Sequence, residues 1–164
     1  MVKPLAVSNL ITRAGWETLD KRLKFLWKED RPRVTKVVSW AASLGDRSEN
    51  ADYKENKHLL RSIDREIRFL VKRLEVLEIV DYHTQQDGAV YFGAYVELED
   101  DDGTIMHCRI VGRDELDPKK NFVTVDSPMA KALIGKQVDD EAQVKTPAGD
   151  KTWYINKIQY VPFS

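Results

Sequence analysis

Apolar positions recur every three or four residues through the first half of the chain, and at alternate positions through much of the second. Tyr53, Asn56, Leu60, Ile63, Ile67, Leu70, Leu74 and Leu77 form one seam of a seven-residue repeat, the pattern of a coiled-coil helix. Trp16, Leu19, Leu23, Leu26, Asp30, Arg33, Val37 and Trp40 show the same spacings. Laid antiparallel, the two arms face one another in eight layers, from Trp16 opposite Leu77 to Trp40 opposite Tyr53, and the fold-back falls between Asp46 and Arg47. The first arm carries a flaw: Asp30 and Arg33 are polar and Pro32 lies between them. Proline removes a helical hydrogen bond, so this helix is expected to bend, with Val34, Val38 and Ala41 available to take over the inner face beyond the bend. Arms of about 30 residues would reach roughly 45 Å.

From Gly88 the period changes to two. Val90, Phe92, Ala94, Val96 and Leu98 alternate with more polar neighbours and predict a half-buried strand. Asp100-Asp101-Asp102-Gly103 predicts a turn into a second strand, Thr104 to Val111. A short strand follows from Asn121 to Val125. Ser127 and Pro128 then read as N-cap and first residue of a short helix, Met129 to Ile134, with Gly135 just past its end. Ala142 to Thr146 and Lys151 to Val161 flank the turn Pro147-Ala148-Gly149-Asp150. The expected class is α+β: an N-terminal extension and helical hairpin in residues 1–82 with its tip near 44–50, a polar linker at 83–87, and a mostly antiparallel domain in 88–164.

Composition narrows the function classes. The chain has 164 residues, 32% of them charged, and no apolar run long enough to span a membrane. The N-terminus lacks the apolar core of a secretory signal, so a cytoplasmic location is expected. Cys108 is the only cysteine, and with His58, His83 and His107 it makes no zinc-site spacing. Residues 1–82 hold 17 Lys and Arg against 13 Asp and Glu, a balance of +4, whereas residues 83–164 hold 9 against 14, a balance of −5. A basic half joined to an acidic half points to two partners or to one partner with two surfaces. Lys54, Lys57, Arg61, Arg65, Arg68 and Lys72 form one stripe along the second helix. Such a stripe can track a phosphate backbone, and it equally suits a solvated face with intrahelical pairs such as Asp64–Arg68.

Candidate chemistry sits at the tip, Leu44-Gly45-Asp46-Arg47-Ser48-Glu49-Asn50. Asp46 and Glu49 can share a hard divalent cation, although two carboxylates alone bind Mg²⁺ weakly and need oxygen ligands from a partner. The competing reading is local. Gly45 would terminate the first helix, and Asp46 would cap the second with Glu49 at its third position, close to a capping box.

The tip, with Val38-Ser39-Trp40-Ala41-Ala42-Ser43 before it, resembles that of the bacterial Gre transcript cleavage factors, the GreB type in particular. The resemblance extends to Thr12-Arg13-Ala14-Gly15-Trp16, Arg31-Pro32, Ile79-Val80-Asp81-Tyr82, Tyr91-Phe92-Gly93-Ala94, Ile110-Val111-Gly112, Val125-Asp126-Ser127-Pro128-Met129-Ala130 and Thr146-Pro147-Ala148-Gly149, leaving the first 11 residues as an extension. It implies an FKBP-like C-terminal domain that binds bacterial RNA polymerase at its secondary channel. The coiled-coil tip would enter that channel and stimulate the polymerase's own cleavage of the 3′ end of backtracked nascent RNA, so that arrested complexes resume elongation. The chain would then be no enzyme itself. By position, Asp46 and Glu49 are the tip acids that share the polymerase's Mg²⁺, and Asp126, Ser127 and Pro128 match the polymerase-binding loop. The Lys54–Lys72 stripe corresponds to the family's RNA-contacting basic region, and a monomer is expected. Rival readings are a channel-binding inhibitor, a prolyl isomerase with an aromatic-lined pocket, and a scaffold hairpin.

Overall fold

The structure, a computed structural model, describes residues 8–45 and 49–164. It divides into two compact units, Trp16–Leu77 and the flanking residues up to Gly15 together with Glu78–Ser164.

The first unit is the helical hairpin. Its first arm comprises α1 (Arg13–Phe25), which begins in the other unit, a π-helical segment Leu26–Asp30, and α2 (Arg31–Ala42). Its second arm is the single helix α3 (Ala51–Val76). The π segment is where the expected seam fails. The Arg31 N–H donates to the carbonyl of Leu26, five residues back, so one extra residue is wound into the turn before Pro32. That residue advances the inner face by one position. Leu19 and Leu23 pack inward as the heptads require, but beyond the segment the inner residues are Val34, Val38 and Ala41 rather than Arg33, Val37 and Trp40. Leu26, Val34, Ile63 and Leu70 form the buried centre, with Leu60 and Ile67 packed on it. Arg33 and Trp40 are exposed. The insertion thus accommodates both the proline and the polar Asp30–Arg33 pair, which bond to each other at 2.7 Å at the surface. With 26 residues, α3 is about 39 Å long, shorter than the expected arm.

The second unit is a five-stranded sheet carrying one short helix. Its strands are β3 (Tyr95–Glu99), β4 (Ile105–Val111), β5 (Phe122–Thr124), β6 (Glu141–Thr146) and β7 (Gly149–Gln159), in the order β5-β4-β3-β7-β6. Only the β4–β5 pair is parallel. Helix α4 (Pro128–Leu133) covers one face, burying Ala130 and Leu133 against Val96, Leu98, Ile110, Val144 and Ile155. Its N-cap is Ser127, whose hydroxyl accepts from the Ala130 N–H at 3.1 Å, and Gly135 follows its C-cap at φ 84°. Both caps are as the sequence predicts. The alternating burial of Val90 to Leu98 also holds, but regular pairing starts only at Tyr95. Gly93 at φ 89° leaves the extended conformation, and residues 89–93 bond to 136–137 and Ile110 instead.

Two short strands were not predicted. Leu10–Ile11 (β1) and Glu78–Ile79 (β2) pair in parallel where the chain leaves the sheet unit and returns to it. Ile11 is fully buried. Residues 9–11 are therefore part of the fold rather than of an extension, and residues 78–82 belong with the sheet unit rather than with the hairpin.

Candidate functional site

At the hairpin tip, α2 ends with Ser43 as its C-cap, and Gly45 takes φ 109°, a left-handed conformation that glycine adopts without a Cβ clash. Helix α3 is capped by Asn50, whose Oδ1 accepts from the Tyr53 N–H at 3.0 Å, while its Nδ2 donates to the Ala41 carbonyl at 2.6 Å. The capping role expected of Asp46 thus falls to Asn50. Asparagine is among the strongest N-caps, and here its amide also ties the α3 cap to a last-turn carbonyl of the opposite arm, which accepts from the Leu44 N–H as well. Glu49 precedes the helix instead of lying in its first turn, is exposed, and makes no hydrogen bond or ion pair among the described residues. Asp46 lies outside the described residues. No group of three His, Cys, Asp or Glu among the described residues is arranged as a metal site.

The basic stripe runs along α3 below this tip. Lys54, Arg61, Arg65, Arg68 and Lys72 are exposed, and none forms an ion pair among the described residues. Lys57, half-buried, donates to the Tyr53 hydroxyl at 3.2 Å. The anticipated Asp64–Arg68 pair is absent. Asp64 accepts from Arg31 across the hairpin at 2.8 Å, and Glu66 accepts from Arg22 at 2.9 Å, which holds the Arg22 guanidinium above its usual range. Two acids of α3, Asp64 and Glu66, are thus turned toward the first arm and away from the stripe.

In the sheet unit, Asp126 and Pro128 are exposed in the turn from β5 to α4, with Ser127 committed to capping. Asp126 accepts from the Ser8 N–H at 3.3 Å. A groove of about 420 Å³ lies beside this turn and also takes in Lys131, Ala132, Gln143 and Lys145. The lysines were not singled out from the sequence, because Lys145 reaches the groove only through the placement of β6 against α4.

Where α1 begins, Glu115 accepts from the Thr12 N–H at 3.0 Å, the Gly112 N–H at 2.9 Å and the Thr12 hydroxyl. Thr12 in turn caps α1 by accepting from the Gly15 N–H at 3.1 Å. A Cβ on Gly15 would collide with the Glu115 carboxylate, and one on Gly112 with the Leu10 carbonyl. These glycines sit within matched sequence motifs, but the reason for them is spatial. Beside this junction, Arg13 grips Asp81 through two bonds of 2.9 and 2.8 Å and holds its carboxyl below the usual range.

Two domain models match the chain: "Transcription elongation factor, N-terminal" over residues 9–79, and "Transcription elongation factor, GreA/GreB, C-term" over residues 85–160. The transcription elongation factor GreB of Haemophilus ducreyi is 63% identical over 156 residues, covering 95% of this chain and 96% of that protein. That of Pasteurella multocida is 61% identical, covering 95% and 99%. The solved structure of Thermus aquaticus Gfh1 aligns over 93% of this chain and 99% of its own at 27% identity, with a TM-score of 0.43. On the strength of the two domain models and of relatives matched nearly end to end, the chain belongs to the GreA/GreB family of transcription elongation factors and is of the GreB type.

Proposed function

We propose that this chain rescues arrested transcription by stimulating RNA cleavage inside bacterial RNA polymerase. In this reading the Asp126–Pro128 turn and its groove dock on the polymerase, and the hairpin passes through the secondary channel. The tip then presents Asp46 and Glu49 to the 3′ end of a backtracked transcript. The observation that carries the reading is the division of labour at the tip: Asn50 takes the cap, so Glu49 stays exposed and unpartnered among the described residues.

Asp46 and Glu49 would supply two hard oxygen donors to a Mg²⁺ whose remaining ligands come from the polymerase. Bound there, the ion would lower the pKa of a coordinated water and offset charge on the phosphoryl group. The chain's own part is to hold and aim its carboxylates. The stripe from Lys54 to Lys72 would hold the RNA by its phosphates, with charge that Asp64 and Glu66, paired across the hairpin, leave free. The protein needs no reaction of its own, since the cleaved bond and its chemistry belong to the polymerase.

Halted, backtracked complexes test this directly. Asp46→Ala or Glu49→Ala should slow stimulated cleavage on the order of a hundredfold while polymerase binding survives. Asp126→Ala or Pro128→Ala should instead weaken binding by roughly tenfold and leave cleavage at saturating protein unchanged. Tip variants that cleave at the unaltered rate would end the catalytic assignment.

A further inference from the structure

We propose that the sheet face opposite α4 carries a nucleotide site, which receives a planar base against aromatic rings and its phosphate against Arg109 and Lys120. Alternation along β3 and β4 sends Val96, Leu98, Cys108 and Ile110 into the core, and Tyr95, His107 and Arg109 to the other face. A solvated sheet face ordinarily carries polar side chains. Here Tyr95 pairs in register with Arg109, and Arg109 with Phe122, so an aromatic, a guanidinium and an aromatic stand in one row across three strands. The Arg109 guanidinium carbon lies 4.5 Å from the Tyr95 ring centre and 5.7 Å from that of Phe122. Lys120 Nζ is 5.8 Å from the Phe122 ring centre. Phe163 closes one side, edge-on to Tyr95 at 6.3 Å and stacked on His107 at 4.4 Å.

These residues surround a hollow of about 390 Å³. No carboxylate of the described residues lines it. Glu97, on the same face of β3 as Tyr95, is occupied by His107 at 2.9 Å, which holds the Glu97 carboxyl below its usual range. Arg109 spends its Nε on the Gly93 carbonyl at 3.2 Å, and its two terminal amino groups make no hydrogen bond among the described residues. A cationic, aromatic hollow is thus built into the acidic part of the chain. Aromatic faces accept any base by stacking, and a guanidinium with free amino groups accepts a phosphate by its fork. The volume suits a single nucleotide, either free or as one unit of a single strand.

Two-dimensional amide NMR on the full chain can test this, with AMP, adenosine, inorganic phosphate and a five-nucleotide oligoadenylate RNA as probes. AMP or the RNA should shift the amides of Tyr95, Arg109 and Phe122 saturably, and adenosine or phosphate alone should bind at least about tenfold more weakly. Saturation by AMP would identify a free-nucleotide site, and saturation by the RNA alone a strand site. Lys120→Ala and Phe163→Ala, both at the rim, should each lower affinity about fivefold without altering the rest of the spectrum. The proposal is overturned if neither AMP nor RNA shifts these strands, if shifts stay on α3, if phosphate binds as tightly as AMP, or if the rim variants bind normally. Stimulated cleavage is read separately, so failure here leaves the tip assignment standing.

Discussion

Replacing Glu115 by alanine would remove three hydrogen-bond acceptances at once and strand the Thr12 and Gly112 N–H groups in partly buried surroundings. Unfolding by urea should show a loss of about 2–4 kcal/mol, with a smaller loss for Glu115→Gln, which keeps one acceptor. Cys108 makes a different residue-scale prediction. Burial pushes its thiol up to about 12 from an ordinary 9.0, so folding favours the protonated form. Its stabilising contribution is complete below pH 9, where thiols are protonated in both states. It falls as pH rises toward 12, because only the unfolded chain then releases the proton. Wild-type stability should therefore decline across that window by roughly 1.4 kcal/mol per pH unit more than in Cys108→Ala, measured by denaturant titration at each pH. The strand that carries Cys108 was legible in the sequence. The role of Glu115 was not, since Thr12, Gly112 and Glu115 meet only through the return of the chain.

The element that departs most from expectation is the first arm of the hairpin. Its heptads were legible as far as Leu26, and Val34, Val38 and Ala41 were legible as an alternative face. The π turn that selects them was not, because one inserted residue leaves no periodicity of its own and reads as a polar flaw around Asp30 and Arg33. The choice of face can be measured. Val34→Ala should cost about 1–3 kcal/mol by urea unfolding, and Val37→Ala, at a half-buried position, under about 1 kcal/mol. Equal costs, or the reverse order, would place the seam where unbroken heptads put it. The two-residue strands β1 and β2 escaped for a related reason: a pair of residues is too short to show any period.

Across the whole molecule, charge follows the two units. Trp16–Leu77 holds 15 Lys and Arg against 11 Asp and Glu, a balance of +4, and the remaining residues hold 11 against 16, a balance of −5. If the stripe engages RNA phosphates, Arg61→Ala, Arg65→Ala and Arg68→Ala should each flatten the slope of log affinity against log salt by about 0.7, read by crosslinking to the 3′ RNA in halted complexes. Polymerase binding should be unchanged, because the groove proposed to dock on the polymerase lies on the sheet unit. The α+β class and the order of units were legible from the change of period near Gly88, but the points of division at Gly15 and Leu77 were not. The parallel pairing of β1 with β2 bears on how the chain folds. Leu10 meets Glu78 across 68 residues, a closure that in a flexible chain would cost roughly 4 kcal/mol beyond the constant term. Yet α1 starts two residues after β1, and β2 starts two residues after α3. Once the helices have zipped together by local contacts, the two strands are already delivered to one another, and the longest-range strand pairing among the described residues becomes a short-range event.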